Sequence, residues 1–436
     1  MTKFFHSVML EKNKCVGCTN CVKRCPTQAI RVRNGKAVIH SKRCIDCGEC
    51  IRVCPHKAKK AATKKISIIK DFEYTVAIPD PSLFGQFNNL KDINVVLTAI
   101  KKLGFNFVYE ASRGAELIMD SIKKLLEENR IRTPIISSAC PAIVRLIRLR
   151  FPDLCDNVLE LEAPMEVTAK LAKDEISEKY GIPFEKIKAV FIAPCPAKVS
   201  AVAAPLAKDK SWVDAVISIG DVYPLLISEM SKLSKDDIED IAKSGSEGIG
   251  WGVSSAAART FFNEKYLAAD GIENAIRILE ELEEFRIRGI DFIELSACSA
   301  GCVGGVMCVE NAYVAKAKIH KLMKDLPLFK NSVDGEIPDF LRWEKELEFE
   351  PVLKLSEDVG EAIALMDKMD KLYESLPGMD CGSCGAPTCR AFAEDVVMGR
   401  AKQNNCIYIL KDHIEYVIDT LEDTLKKLKG VTFDDS

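Results

Sequence analysis

Eighteen cysteines are the residues of this 436-residue chain best suited to chemistry, and most stand in short regular runs. Cys15-x2-Cys18-x2-Cys21-x3-Cys25-Pro26 recurs as Cys44-x2-Cys47-x2-Cys50-x3-Cys54-Pro55. Nearer the C-terminus lies Cys381-x2-Cys384-x4-Cys389-x16-Cys406, and six more cysteines are scattered at 140, 155, 195, 298, 302 and 308. Thiolates so closely spaced on a tight loop can reach one soft metal centre together, with Gly17 and Gly48 easing the turn. Pro after the fourth thiolate redirects the chain. The start, Met1-Thr2-Lys3-Phe4-Phe5-His6, has no h-region and no small-residue cleavage site. No apolar run approaches the ~18 residues of a membrane helix. A cytoplasmic setting is expected, with no membrane partner, where such thiols are metal ligands rather than disulfides.

The elements that must position these thiols fall into three stretches. Apolar residues make up 47% of the chain, charged residues 29% and aromatics 7%, enough for a sizeable core and against disorder. Residues 1–68 are cysteine-dense and short on apolar periodicity, as expected of a domain folded around metal. From 69 to 345, short apolar runs alternate with helical segments, which argues α/β. Tyr74–Pro79 opens the series, followed by Phe105–Tyr109 before a helix over Ala115–Asn129. Ile135-Ile136 precedes Ile143–Leu149, Ala189–Ile192 follows Val167–Lys179, and Val213–Ile219 reads as one more buried strand. Residues 346–436 hold a connector, the last cysteine group and a terminal helix.

The two N-terminal runs form the bacterial two-cluster ferredoxin pattern, in which the fourth cysteine of each run serves the other cluster. Cys15, Cys18, Cys21 and Cys54 should hold one [4Fe–4S] cluster, and Cys44, Cys47, Cys50 and Cys25 the other, within a small α+β domain. Structural zinc is the competing reading, but zinc sites rarely use this crossed arrangement. Residues 1–65 carry 16 Lys and Arg against Glu11, Asp46 and Glu49, leaving 45 basic against 61 acidic in the remainder. Such a basic head first suggests nucleic acid, and the cluster ligands argue otherwise. It suits an acidic electron-transfer partner such as a ferredoxin, or the acidic body of its own chain.

Cys381, Cys384, Cys389 and Cys406 form a different four-thiolate set, with Gly378, Gly382 and Gly385 allowing backbone to approach a cluster. This stretch resembles the single [4Fe–4S] domain of corrinoid iron–sulfur proteins and of the B subunit of Rnf-type complexes. That would be a small, mostly α domain with a third accessory cluster. Four cysteines would also suit a structural zinc.

Of the six remaining cysteines, any one alone would more often be a buried small hydrophobe. Together they lie in Ser137-Ser138-Ala139-Cys140-Pro141-Ala142, in Ala193-Pro194-Cys195-Pro196-Ala197-Lys198, and in Glu294–Gly305, which contains Cys298 and Cys302. Behind a ferredoxin head, these segments resemble the three signatures of the catalytic domain of [FeFe] hydrogenases. Pro81–Phe87, Tyr109–Leu117 and Ala163-Pro164-Met165 extend the likeness, which covers roughly residues 74–320. The resemblance implies an H-cluster: a [4Fe–4S] cubane on Cys140, Cys195, Cys298 and Cys302, the last bridging to a two-iron subsite with CO, cyanide and azadithiolate. It implies hydrogenase activity on H2 and protons, three accessory [4Fe–4S] clusters relaying electrons, and maturation proteins that load the two-iron subsite. Lys198 matches the family's donor to a cyanide, a charge-assisted bond, against the alternative of a free surface lysine. Pro81 and Ser82 match the segment against the two-iron site, and Pro164 and Met165 match a cofactor-binding position. Gly301, Gly304 and Gly305 fit a place where a bulky cofactor leaves no room for side chains. Cys155 and Cys308 match no ligand and read as core or as neighbours of the ligands.

The departures from the family pattern carry information too. Where the family has a proton-relaying cysteine, this chain has Ala139, which carries no proton. The acidic relay on the following helix reads Asp120-Ser121-Ile122-Lys123-Lys124, and methionines usual in the second and third segments are Ala193 and Ser296. These losses resemble the sensory [FeFe] hydrogenases, in the subgroup without a PAS module, and imply slow turnover. The alternative is a hydrogenase-like iron–sulfur protein without the two-iron subsite, acting in electron transfer or cluster assembly. After Cys406, apolar residues at Leu410, Ile414, Val417 and Leu421 predict a helix that either packs on the domain core, shielding the last cluster, or forms a homodimer seam.

Overall fold

The computed structural model describes residues 5–128, 133–255, 265–352 and 354–429. Two compact units emerge, interleaved along the chain rather than laid end to end. The first comprises residues 1–9, 44–52 and 59–350; the second comprises 10–43, 53–58 and 351–436. The sequence reading divides the chain differently, into the consecutive segments 1–68, 69–345 and 346–436. The ferredoxin-like head is divided, and one of its two cysteine loops, 44–52, belongs to the α/β unit.

The α/β unit is built on two parallel sheets. One orders its strands Phe107–Val108, Tyr74–Pro79, Ile187–Ala193 and Ala215–Ser218, with Val76 opposite both Phe107 and Ala189, and Val190 opposite Ala215. The other orders them Tyr266–Asp270, Phe292–Ser296 and Ile135–Ile136. Parallel strands covered on both faces need continuous apolar runs, and Val76, Ala77, Ile78, Ala189, Val190, Phe191 and Ile192 are all fully buried. Helices Ser112–Glu127, Pro141–Arg150 and Pro164–Tyr180 cover the sheets where the sequence places them, with boundaries shifted by a few residues. Two strands, Tyr266–Asp270 and Phe292–Ser296, were not legible as runs. The first is half-buried throughout, and the second carries Glu294 and Ser296 on its less buried face.

Proline places the helix starts that matter. Pro141 and Pro196 each occupy the first helical position, directly after Cys140 and Cys195, whose own backbones are extended. There the missing N–H costs nothing and φ is already helical.

In the second unit, Ile30–Arg33 and Lys36–Ile39 pair antiparallel across Asn34-Gly35, both with positive φ, the pattern of a tight hairpin. Arg31 and Arg33 of this hairpin reach Asp395 at 2.6 and 2.5 Å, and Arg43 pairs with Glu394. Asp395 lies on helix Cys389–Val397, which Thr388 caps by accepting the Ala391 N–H. Since Asp395 and Arg31 are both buried, removing the Asp395 carboxylate would leave the Arg31 guanidinium uncompensated, a loss of ~3–5 kcal/mol. Ion pairs thus join segments from near both ends of the sequence, while the apolar core with Met369, Leu372, Phe392 and Ala393 is built from the C-terminal segment.

The terminal helix Ile407–Lys429 forms where the sequence places it. Its apolar stripe does not pack on the domain core: Leu410, Ile414, Val417, Ile418, Leu421 and Leu425 are all exposed, and Ile409 is the helix residue set against the core. No helix among the described residues is long and apolar enough to cross a membrane.

Candidate metal centre

Three strands of the α/β unit deliver cysteines just beyond their C-terminal ends. Ile135-Ile136 leads to Cys140, Ile187–Ala193 to Cys195, and Phe292–Ser296 to Cys298 and Cys302. Ligands in open parallel sheets bind in this position. Cys140, Cys195, Cys298 and Cys302 line one cavity of about 670 Å³, counting space open to solvent, and Lys198, Ala139 and Ser296 line it with them.

The electrostatics of this cavity are severe. Burial pushes the Cys195 thiol up to about 11 and that of Cys302 up to about 12, against the pull of the Lys198 ammonium on both. Burial, followed by the neighbouring thiols of Cys195, Cys140 and Cys302, raises Cys298 well above the ordinary range. The sulfurs of Cys195, Cys298 and Cys302, so enclosed, cannot together become thiolates without a positively charged partner among them. The donor set is all sulfur and soft, suited to iron–sulfur chemistry or to zinc. Two of the thiols also sit at helix N-termini, whose partial positive charge favours an anionic ligand set.

Lys198 is buried, and its Nζ pairs with the Asp80 carboxylate while standing 3.6 Å from Cys302 Sγ. Burial opposes its charge, yet Asp80 and the Cys302 and Cys195 sulfurs together raise its pKa. Lys198 is therefore no free surface lysine. Asp80 is a functional residue that the sequence reading missed; the Asp-Pro-Ser order, an N-cap before proline, was the available signal. It caps the 3-10 turn Pro81–Gln86, accepting from Ser82 N at 3.0 Å and Ser82 Oγ at 2.5 Å. Pro81 and Ser82 thus reach the centre through Asp80; neither lines the cavity.

Other expected residues fall differently. Pro164 opens a helix and Met165 sits in the apolar core beside Val76 and Ile78, so the cavity wall includes neither. The three glycines are crowded by protein. A Cβ on Gly304 would meet Ser299 O at 2.0 Å, on Gly305 Pro194 O at 2.3 Å, and on Gly301 Ser254 N at 2.4 Å. Close backbone approach excludes side chains there. Cys155 is buried, with Sγ directed at Phe151 O, and Cys308 directs its Sγ at Cys302 O at 3.5 Å. Asp120 accepts the Val333 N–H and pairs with Lys124, which leaves it a structural part. Trp251 and Glu294 line the cavity without having been anticipated. For Glu294 the signal was its alternation with Ser296 along one strand.

In the second unit, Cys381, Cys384, Cys389 and Cys406 line a smaller cavity of about 320 Å³. Hydrogen bonds from Ser383 lower the Cys381 thiol, whereas burial raises Cys384. Cys15, Cys18, Cys21 and Cys54 all belong to this unit. Within it, Cys15, Cys25 and Cys54 sulfurs accept backbone N–H groups of Ala37, Ala29 and Ala58 at 3.4, 3.2 and 3.3 Å, as thiolate ligands do.

These features define a metalloprotein with a cysteine-lined cavity in an α/β unit. Comparison with known proteins narrows the class. Residues 73–264 and 228–306 match the family described as iron only hydrogenase large subunit, C-terminal domain. Residues 7–55 match a 4Fe-4S dicluster domain and 376–408 an Fe-S cluster family. The chain is 27% identical over 256 residues to the NADP-reducing hydrogenase subunit HndD of Solidesulfovibrio fructosivorans, covering 48% of this chain and 44% of that one. Over 360 residues it is 25% identical to the periplasmic [Fe] hydrogenase large subunit of Nitratidesulfovibrio vulgaris, covering 69% and 86%. The solved [FeFe]-hydrogenase HydA1 of Chlamydomonas reinhardtii aligns with a TM-score of 0.49 at 16% identity, covering 64% of this chain and 95% of that one. The chain spans less than half the length of the first of these relatives. It belongs to the [FeFe] hydrogenase family, and iron–sulfur clusters are its resident groups.

The Lys198–Asp80 pair generates a stability prediction. Lys198→Ala strands a buried carboxylate and should cost ~3–5 kcal/mol, read as a lower urea midpoint. Asp80→Asn in the same background should recover part of the loss. A Lys198→Ala protein as stable as wild type would mean that the pair contributes nothing to the fold.

Proposed function

We propose that this protein is an [FeFe] hydrogenase of the sensory type, interconverting H2 with two protons and two electrons at low turnover. The observation that carries the proposal is the convergence of Cys140, Cys195, Cys298 and Cys302 on one cavity, with Lys198 held against Cys302. In this reading the four thiolates would hold a cubane, and Cys302 would also hold a two-iron subsite with CO, cyanide and azadithiolate. When bound, that group supplies an open metal site and a pendant base at which H2 can be split.

The chain's own residues bind, orient and shield. Lys198 presents a fixed cation to anionic ligands, and Asp80, locked by Ser82, keeps the ammonium in place. Ser296 offers a hydroxyl where the family carries a thioether. Ala139, on the cavity wall, can neither take nor give a proton, which is the physical basis for slow turnover. The backbone of Gly301 and Gly305, on the cavity wall, shapes the site, and Pro81 acts through Asp80.

Three accessory clusters complete the reading: one on Cys15, Cys18, Cys21 and Cys54, one on Cys44, Cys47, Cys50 and Cys25, and one on Cys381, Cys384, Cys389 and Cys406. An acidic ferredoxin-like partner in the cytoplasm would exchange electrons with them, and maturation proteins would load the two-iron subsite. The exposed stripe at Leu410, Ile414, Val417 and Leu421 favours a homodimer seam over packing within the chain. Truncation after Tyr408 should then halve the mass by light scattering, and an unchanged mass would remove the seam.

Infrared spectra of protein matured with the two-iron precursor test the main claim. Metal-bound CO and cyanide stretches should appear in wild type and vanish in Cys302→Ala. Their absence from wild type would overturn the hydrogenase reading and favour a protein without the subsite. Ala139→Cys should raise hydrogen turnover by about tenfold or more if proton delivery is limiting, and an unchanged rate would place the limiting step elsewhere.

A further inference from the structure

The cysteine loop 44–52 is fastened within the α/β unit at each of the segments that follow the cavity cysteines. Asp46, buried between Cys44 and Cys47, takes Ser200 Oγ at 2.5 Å and Arg145 Nη1 at 3.3 Å on Oδ2. Arg145 stands on the helix that begins after Cys140, and Ser200 on the helix that begins after Cys195. Ser7 joins the same knot, its N–H on Asp46 Oδ1 at 3.0 Å and its hydroxyl on Pro196 O at 2.7 Å. The third fastening is Arg52, two residues after Cys50. Its Nη2 donates to Gly304 O at 2.8 Å, in the turn Cys302–Gly304, and its Nε donates to Glu49 Oε1 at 3.0 Å.

Asp46, Ser7 and Ser200 form a neutralised network around Arg145. Arg52 differs, because its guanidinium bridges from the loop carrying Cys44, Cys47 and Cys50 to the turn carrying Cys302. A cation close to thiolate-bound iron and sulfide favours the more negative, reduced state and so raises the reduction potential. Glu49, beside Cys50 and buried, partly offsets the same charge.

We propose that Arg52 is the residue that tunes the central cubane toward electron acceptance, setting its reduction potential by charge from the cysteine loop bound against it. The proposal rests on the reading that Cys140, Cys195, Cys298 and Cys302 hold a cubane. It does not require the two-iron subsite. Arg52 acts electrostatically and through its hydrogen bond to Gly304, and touches neither H2 nor protons.

The test uses the full chain reconstituted with iron and sulfide alone, titrated with dithionite and followed by electron paramagnetic resonance. Arg52→Gln keeps a donor for Gly304 O and removes the charge, so the cubane midpoint should move to a more negative potential. Arg52→Lys should stay near wild type. Glu49→Gln, which leaves Arg52 less compensated, should move the midpoint the opposite way and serves if Arg52→Gln does not accumulate. A cubane potential indifferent to Arg52→Gln, or lowered equally by Lys and Gln, overturns the role of Arg52 while leaving the cavity reading intact. A wild-type protein with no cubane signal overturns the cavity reading and this role together.

Discussion

The enclosed thiols of Cys195, Cys298 and Cys302 resist becoming thiolates, and the surroundings of the cavity counter that resistance. The α/β unit meets it with fixed positive potential rather than with water. Two of the cavity sulfurs, those of Cys140 and Cys195, stand at Pro-initiated helix N-termini, and the Lys198 ammonium lies 3.6 Å from a third. A lysine buried alone would shed its proton, so Asp80 is as necessary as Lys198 itself. Ser82 in turn holds Asp80 from the first turn after the strand Tyr74–Pro79. An interior strand of the larger sheet thus ends in the counter-charge of the metal centre.

The same constraint explains the choice of scaffold. Residues from segments more than a hundred positions apart must converge within reach of one cluster, and tolerate little play. Parallel sheets provide this, because each strand ends on the same side and hands its following loop to a common crevice. Rigidity at the far end of the cysteine turn comes from backbone packed too tightly for side chains at Gly301, Gly304 and Gly305. The loop 44–52 is tied into this scaffold through Asp46, Ser7 and Arg52, which is why it parts company with residues 10–43 and joins the α/β unit.

Much of this was legible in the sequence, for physical reasons that differ by feature. Cysteine spacing reports metal chemistry directly, since a tight loop can present its thiolates in few ways, and the buried parallel strands announce themselves as unbroken apolar runs. The strand Phe292–Ser296 did not, because its Glu294 and Ser296 face the cavity and interrupt the run. Asp80 was missed because a single carboxylate before proline looks like any cap until its partner, Lys198, arrives from 118 residues away. The interleaved units were invisible because charge and spacing alone do not say which loop of a repeated pair is held by Arg145 and Ser200. The terminal helix shows the converse: a readable apolar stripe does not say what will cover it.

The central claim is that the four cavity cysteines hold one cluster distinct from the accessory ones. Iron content and Mössbauer spectra of full-length protein reconstituted with iron-57 and sulfide, compared between wild type and Cys298→Ala, test it most directly. The account predicts that the variant loses one [4Fe–4S] equivalent while the accessory clusters keep their signals. Equal iron content and superimposable spectra in the two proteins would contradict it.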